Sequence, residues 1–446
     1  MHENELTTQP IGTLIKNLAL PASLGFFFNT MFNVVDTFYA GQISTAALAA
    51  LSISFPVFFI IIALGSGLGT GATSLIANSL GAQKTDEAKI YAAQTITFSV
   101  ALSIIASILG LLASPALFRL LGAEESYLSL SLSYMNMIFY GTVFFILVYG
   151  FNASLNAQGN TKSFRNVLIV GFFANVLLDP WFMYGWIGFP RLGITGVALA
   201  TIAIEAASAL YLGIKVFRTP LFNKQSFRHF FPERFYIKNI AYQGVPAALN
   251  MMTIGVGIFI ITYFVSAFGK VPVAAYGIAT RIEQIFLLPT IGLTIATLTL
   301  VAQNNGAAKF ARVREALNLA LKYGLFIMTI GTVLIFLSAY PLMNLFTKDV
   351  SVINAGVIYL RIAAFITWAY ALLFICISAL QGLERPLYAI WIGLFRQILA
   401  PVVVFWFLSN ILGWGIFGIW LGIFIITWAA ALVTVQYTKR VMTRPV

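Results

Sequence analysis

Histidine, cysteine and charge are what this chain has least of. Its two histidines, His2 and His229, both lie outside the apolar stretches, so no intramembrane proton relay runs through imidazole. Cys376 is alone, which excludes an intramolecular disulfide, and no Cys/His cluster is available for a zinc or redox centre. Charged residues are 9% of 446, against 60% hydrophobic. Soluble domains do not have that balance; polytopic helical membrane proteins do. The opening, Met1 to Gln9, is polar and acidic and reads as no cleavable signal. An intramembrane enzyme would need a nucleophile–base pair or a metal cluster, and this composition supplies neither. A channel would need symmetric filter elements, which one-sided acids do not suggest.

What is abundant is apolar length. Twelve segments long enough to span a bilayer can be counted, from 12–39 to 415–437, and runs this long exclude barrel strands. The net charge of +12 is distributed by side. Even-numbered loops and both ends hold nineteen basic residues; odd-numbered loops hold only Arg119, Arg191, Lys270 and Lys348. By the positive-inside rule both termini are cytoplasmic, in a plasma (inner) membrane with the basic excess facing anionic headgroups. The partners expected are therefore the lipid bilayer and small molecules, with no nucleic acid, for a chain read as a monomer.

The longest polar stretch falls mid-chain and divides two halves, an N-terminal lobe 1–217 and a C-terminal lobe 238–446, joined by the cytoplasmic linker 218–237. The halves repeat. At an offset of 225, Pro21-Ala22-Ser23-Leu24 meets Pro246-Ala247-Ala248-Leu249, Gly67 meets Gly292, and Gly81-Ala82 meets Gly306-Ala307. With small gaps, Gln158-Gly159 meets Gln381-Gly382, Asp179-Pro180 meets Ala400-Pro401, and Gly193-Ile194 meets Gly415-Ile416. Six helices per half make the repeat parallel, an arrangement seen in transporters.

Two acids break the repeat. Asp36 falls on Ile261 and Asp179 on Ala400. A carboxylate in a membrane-spanning helix costs roughly 2.5–3.5 kcal/mol even on lenient scales, so a bundle interior or a wet cavity shelters it, unless it lies at the headgroups by a helix end. A scaffold feature recurs in both copies; one found in a single copy reads as chemistry. Two such acids in one half suggest a proton or cation site.

Pro21 before Val35-Asp36-Thr37-Phe38-Tyr39-Ala40-Gly41, then Leu80-Gly81-Ala82, Ala157-Gln158-Gly159-Asn160-Thr161-Lys162, Asn175-Val176-Leu177-Leu178-Asp179-Pro180 and Gly193-Ile194-Thr195-Gly196 form a set. That set resembles the multidrug and toxic compound extrusion (MATE) family, nearest to its DinF-like branch. The resemblance implies an all-α fold of twelve transmembrane helices in two pseudo-symmetric six-helix bundles set in a V. It implies cation-driven antiport of drugs, with H+ or Na+ as the coupling ion and no other cofactor. That branch's ion site maps to Asp36, Asn175, Asp179 and Thr201, with Asn152 nearby. The NorM-like branch has an acid ten residues after its Gly-x-Pro glycine; here Gly244-Val245-Pro246 leads at that spacing to Ile254, so that C-terminal sodium site is expected to be absent.

Asn175 and Asp179 are four apart and share a helix face. Pro180 has no N–H, which frees the carbonyl of Val176 as an oxygen ligand or water acceptor. Asn33, one turn before Asp36, is placed to hydrogen-bond it. Asn33, Phe38 and Tyr39 are the residues expected to line a substrate cavity, since aromatic faces attract lipophilic cations. Two carboxylates in one low-dielectric pocket cannot both be charged cheaply and titrate as a unit. Were the ion sodium, Asp36, Asp179 and Asn175 would ligate it through hard oxygens. Pro21 and Pro180 are the expected hinges, Pro21 lying about 22 Å along the helix from Asp36. The reading is a proton-favoured, sodium-compatible exporter of lipophilic, often cationic drugs. The alternative is a lipid or lipid-linked oligosaccharide flippase, whose basic cavity would draw on Arg281, Arg361 and Arg396. The orientation is checked by labelling: a cysteine at Lys224 should resist impermeant reagents added outside intact cells, and strong labelling there would reverse it.

Overall fold

The computed structural model describes residues 4–123, 125–186, 188–222 and 227–443. Within them the chain is helical throughout. The short α1 (Glu5–Thr8) precedes α2 (Ile11–Ile43), α3 (Thr45–Gly81), α4 (Thr85–Leu120), α5 (Glu125–Ala157), α6 (Lys162–Tyr184) and α7 (Ile194–Phe217). A single 3-10 turn, Phe227–Phe230, leads to α8 (Arg234–Ser266), α9 (Lys270–Gly306) and α10 (Phe310–Asn344). Then come α11 (Val350–Ala364), α12 (Thr367–Gly382), α13 (Leu387–Leu394), α14 (Ala400–Trp406) and α15 (Gly415–Thr443). Ten of the described helices are long and apolar enough to cross a membrane singly, the continuous run Leu387–Ile411 that includes α13 and α14 makes an eleventh span, and α11 with α12 a twelfth, bent by 47°. This is an all-α, multi-pass membrane architecture.

The bend interrupts the single run expected at 351–379. At the break the carbonyls of Ala364 and Phe365 lose helical partners, and side chains replace them. Thr332 Oγ1 donates to Ala364 O at 2.8 Å and Trp428 Nε1 to Phe365 O at 3.1 Å. Where no water reaches, a broken helix survives only with such substitutes.

The repeat is visible in the backbone. Helices starting at 45, 85, 125 and 162 have counterparts starting at 270, 310, 350 and 387, each 225 later. Left-handed residues keep the same step: Gln83 with Ala308, and Gly159 with Glu384. The pairing of Gln158-Gly159 with Gln381-Gly382 is therefore out of register by two, a chance match of common residues. It follows that Pro180 and Pro401 are not equivalent. Two π turns, Phe395–Leu399 and Phe407–Ile411, insert extra residues into the eleventh span. Asp179 falls opposite Val404 or Phe405 rather than Ala400. Both are apolar, so the asymmetry of the acids stands.

Packing divides the chain differently from the two sequence halves. One compact unit is Leu24–Ala248; the other is Met1–Ser23 with Leu249–Val446. Each boundary lies just past a repeat proline, Pro21 or Pro246, inside a helix that runs on without interruption. The first turns of α2 bury Ile11, Leu14, Ile15 and Leu18 against Leu293, Leu300 and Leu317. Lys309 Nζ donates to Thr7 O at 2.9 Å and Arg312 Nη2 to Gln9 O at 2.7 Å, fastening the same segment. In the Leu24–Ala248 unit, Gln94 Nε2 donates to His229 O at 2.8 Å and Thr97 Oγ1 to Phe230 O at 2.8 Å, which fastens the chain ahead of α8.

Glycine makes both half-helix contacts close. A Cβ at Gly67 would lie 2.6 Å from Gly244 O and 2.7 Å from Ala248 N; one at Gly292 would lie 2.3 Å from Ala19 O and 3.0 Å from Ser23 N. These are the same contact in the two repeats. Gly41, by contrast, faces open space. Gly67→Ala and Gly292→Ala should each lower stability in detergent by about 1–3 kcal/mol through overpacking, while Gly41→Ala should not. Equal melting temperatures for all three would show that the half-helices do not pack this way.

Candidate functional site: a buried carboxylate pair

The site forms where α2, α5 and α6 meet in the Leu24–Ala248 unit. Asn160 Oδ1 starts α6 by accepting from the N–H of Ser163 at 3.1 Å. Gly185 ends it in a left-handed conformation (φ 74°) that suits glycine, with its N–H on Trp181 O at 3.0 Å. The return into α7 is fixed by Leu192 N–H on Phe182 O and Gly193 N–H on Met183 O, both 3.2 Å. This hairpin sets Thr201 at about the depth of Asp179, each roughly two turns from the connection.

Asp36, 7% exposed, and the fully buried Asp179 are brought to one place by Asn175, which reaches Asp36 and stands one helical turn before Asp179. Asn175 Nδ2 donates to Asp36 Oδ1 at 2.8 Å. A bond between the two carboxyls exists only when one carries a proton, since ionised carboxylates only accept. Asp179 Oδ1, Asp179 Oδ2 and Asn175 Oδ1 are all buried without a donor. Among the described residues no lysine, arginine or histidine pairs with either acid. Three orphaned hard oxygens in one spot fit a proton or a small monovalent cation, which would supply the missing positive charge. Among the described residues no group of three His, Cys, Asp or Glu side chains suits a tighter metal.

The other expected residues divide. Tyr39 joins the site by an unforeseen route: its hydroxyl donates at 3.1 Å to Val176 O, the carbonyl that Pro180 frees. That oxygen is therefore a tie between α2 and α6 rather than an open ligand. α6 continues through Pro180 as one helix. Asn33 does not reach Asp36; it is exposed and donates to Asn29 O at 2.8 Å. Phe38 is also exposed, edge-on to Tyr39 with ring centres 5.4 Å apart. Thr201 is buried at the right depth, but its hydroxyl donates to Val197 O at 3.1 Å. Asn152 is not brought in. It lies one turn from the end of α5, while Asp179 lies 17 residues into α6, so the two differ in depth by roughly 18 Å. Tyr134 was missed: it is buried on α5 in the cluster that Tyr39 packs against. Its signal was available, since Tyr134 recurs as Tyr359 at the repeat step of 225.

The family model described as MatE matches residues 21–181 and 246–406, one copy in each half. The chain belongs to the MATE family. MATE proteins are transporters, and this one is read as no enzyme. The chain is 29% identical to a FAD transporter of Shewanella oneidensis over 88% of its own length and 87% of that protein's. It is 28% identical to a probable multidrug resistance protein, YoeA, of Bacillus subtilis, over 84% and 82%. A MATE solved in the straight conformation and one in the bent conformation each superpose with a TM-score of 0.92 at 25% identity, covering 99% of this chain and 98% of theirs.

The geometry separates two asparagines. Asn175→Ala should weaken the ion dependence of efflux by roughly tenfold, because a charge-assisted hydrogen bond is worth about 1.5–3 kcal/mol. Asn152→Ala should leave it unchanged. Efflux measured against ion concentration decides; equal shifts for both would reject this site.

Proposed function

We propose that this MATE transporter exports lipophilic, often cationic compounds in exchange for an inward-moving ion, a proton for preference or sodium, taken up at Asp36 and Asp179. Its place is the plasma membrane with both termini cytoplasmic, and the coupling acids lie in the N-terminal half, as in the DinF-like branch. The observation that carries the reading is the pair itself: two buried acids brought to one place by Asn175, and no basic side chain to neutralise them. Multidrug-resistance relatives support the substrate class.

The coupling follows from connectivity. α2 carries Asp36 in one unit and roots in the other before Pro21. Pro21 removes one rung of that helix's ladder, leaving the carbonyl of Asn17 without its partner. A change of charge at Asp36 alters its hold on Asn175 and thereby biases α2 between straight and bent forms about Pro21. MATE structures solved in a straight and in a bent conformation support two such states. A difference of 1.4 kcal/mol shifts that ratio tenfold, so a small effect suffices. Bending narrows the space beside Asn33 and Phe38 and expels substrate. Among the described residues the three arginines lend the flippase no support: Arg281 and Arg361 are exposed, and Arg396 is buried among rings.

Asp36→Asn should abolish ion-coupled efflux, while Ile261→Ala, at the equivalent place, should keep most of it. Transport of cationic dyes and of flavin nucleotides by inverted vesicles under an imposed proton or sodium gradient is the assay. Equal loss in the two variants at equal expression would remove the N-terminal site from the mechanism.

A further inference from the structure

Tyr134 and Tyr359 occupy the same point of equivalent helices, and both are buried, Tyr359 against a carboxylate. In the unit containing Leu249–Val446, Tyr359 on α11 donates its hydroxyl to Glu283 Oε2 at 3.2 Å. Glu283 is 6% exposed, and its Oε1 is buried with no donor. Around it the rings of Tyr276, Tyr359 and Trp420 pack with centres 4.8–5.8 Å apart. Nothing in the repeat demands an acid here, because Phe58 holds the equivalent position.

The two polar cores differ in charge. On the Tyr134 side stand two acids and no base. On the Tyr359 side the aromatic core is bordered by one acid and one base: Glu283 on Tyr359, and Arg396, buried in the first π turn of the helix equivalent to α6, which carries Asp179. Its guanidinium lies 5.5 Å from the centre of the Tyr370 ring and 5.9 Å from that of Phe374. Tyr370 packs against the buried cluster that holds Tyr276 and Tyr359, so Glu283 and Arg396 border one aromatic core, and among the described residues they do not close to an ion pair. Tyr276, Tyr359 and Tyr370 are the other titratable groups facing them. Arg281 and Arg361 are exposed, and α10 and α15 carry their charges only toward the opposite end of the helices. One core has a formal charge that an ion must balance; the other is balanced already.

We propose that Arg396 is a tethered cation, supplying permanently to the Tyr359 core, with Glu283 as counter-charge, what an exchangeable ion supplies to Asp36 and Asp179. The inference rests on the reading of that pair as an ion site. It means that one unit takes up ions and the other does not, although both descend from one repeat. It also means that removing the guanidinium exposes a latent site at Glu283, open to a proton or a monovalent cation.

The test uses the full chain in detergent, with Asp36→Asn and Asp179→Asn as background so that the first core is silent. Thermal unfolding is followed on acidification without sodium, and on replacing choline by sodium in alkaline buffer. Arg396→Gln should gain an upward shift in melting temperature in one arm, acid marking a proton and sodium a metal cation. Arg396→Lys should behave as the background, and Arg396→Gln with Glu283→Gln should lose the shift. An Arg396→Gln chain no more responsive than the background overturns the proposal. Should that variant fail to fold, the double variant decides: the pair requires it to be recovered in higher monodisperse yield than either single variant, and no recovery overturns it. Because the background already lacks the other acids, a negative result leaves the reading of Asp36 intact.

Discussion

A carboxylate pair buried in a helix bundle without a basic partner has to obtain its positive charge from outside, and the Leu24–Ala248 unit is built around that constraint. Asn175 satisfies one oxygen of Asp36, Tyr39 ties α2 to the carbonyl that Pro180 releases, and the Gly185 cap and its hairpin fix the depth of α6 and α7. What these contacts withhold matters as much. They leave both oxygens of Asp179 without a donor. In low dielectric an unpaired charge costs several kcal/mol, so the site is stable only when a proton or a cation arrives. In the function proposed, uptake and conformational state are linked by the electrostatics of two side chains.

In the proposed mechanism the scaffold turns that local event into movement through two continuous helices, each with a proline inside it. α2 and α8 each start in one packing unit and end in the other, with a repeat proline just before the crossing. Glycines at positions 67 and 292 seat the half-helices against backbone, so each root is held rigidly. In the proposed mechanism, rigid roots and a weakened rung concentrate bending at Pro21 and Pro246. Only α2 carries an acid beyond its proline, which gives one of the two symmetric joints an electrical input.

Much of this was legible in the sequence because membrane physics writes in long signals. Twenty-residue apolar runs, the sidedness of lysine and arginine, and the rarity of intramembrane acids gave the helices and singled out Asp36 and Asp179. What failed were inferences from short matches. The Gln-Gly pairing slipped by two because two identical residues carry little information, whereas left-handed turns and helix starts mark the register unambiguously. Asn152 was carried by resemblance and lies about three turns of helix from the depth of the acids. Asn33 was placed near Asp36 by spacing, yet its side chain prefers its own helix's carbonyl at Asn29. The hold of Tyr39 on Val176 could not be read at all, since it depends on how α2 and α6 meet.

The central claim is that substrate and ion compete through the Asp36–Asp179 pair. Its most direct measurement is ion release on substrate binding: purified protein in weakly buffered detergent is mixed with a cationic substrate while pH and free sodium are recorded. The expected result is release of protons or sodium in proportion to bound substrate by the native chain, and none by Asp36→Asn with binding retained. Equal release by both, or binding without any release by the native chain, would contradict the account.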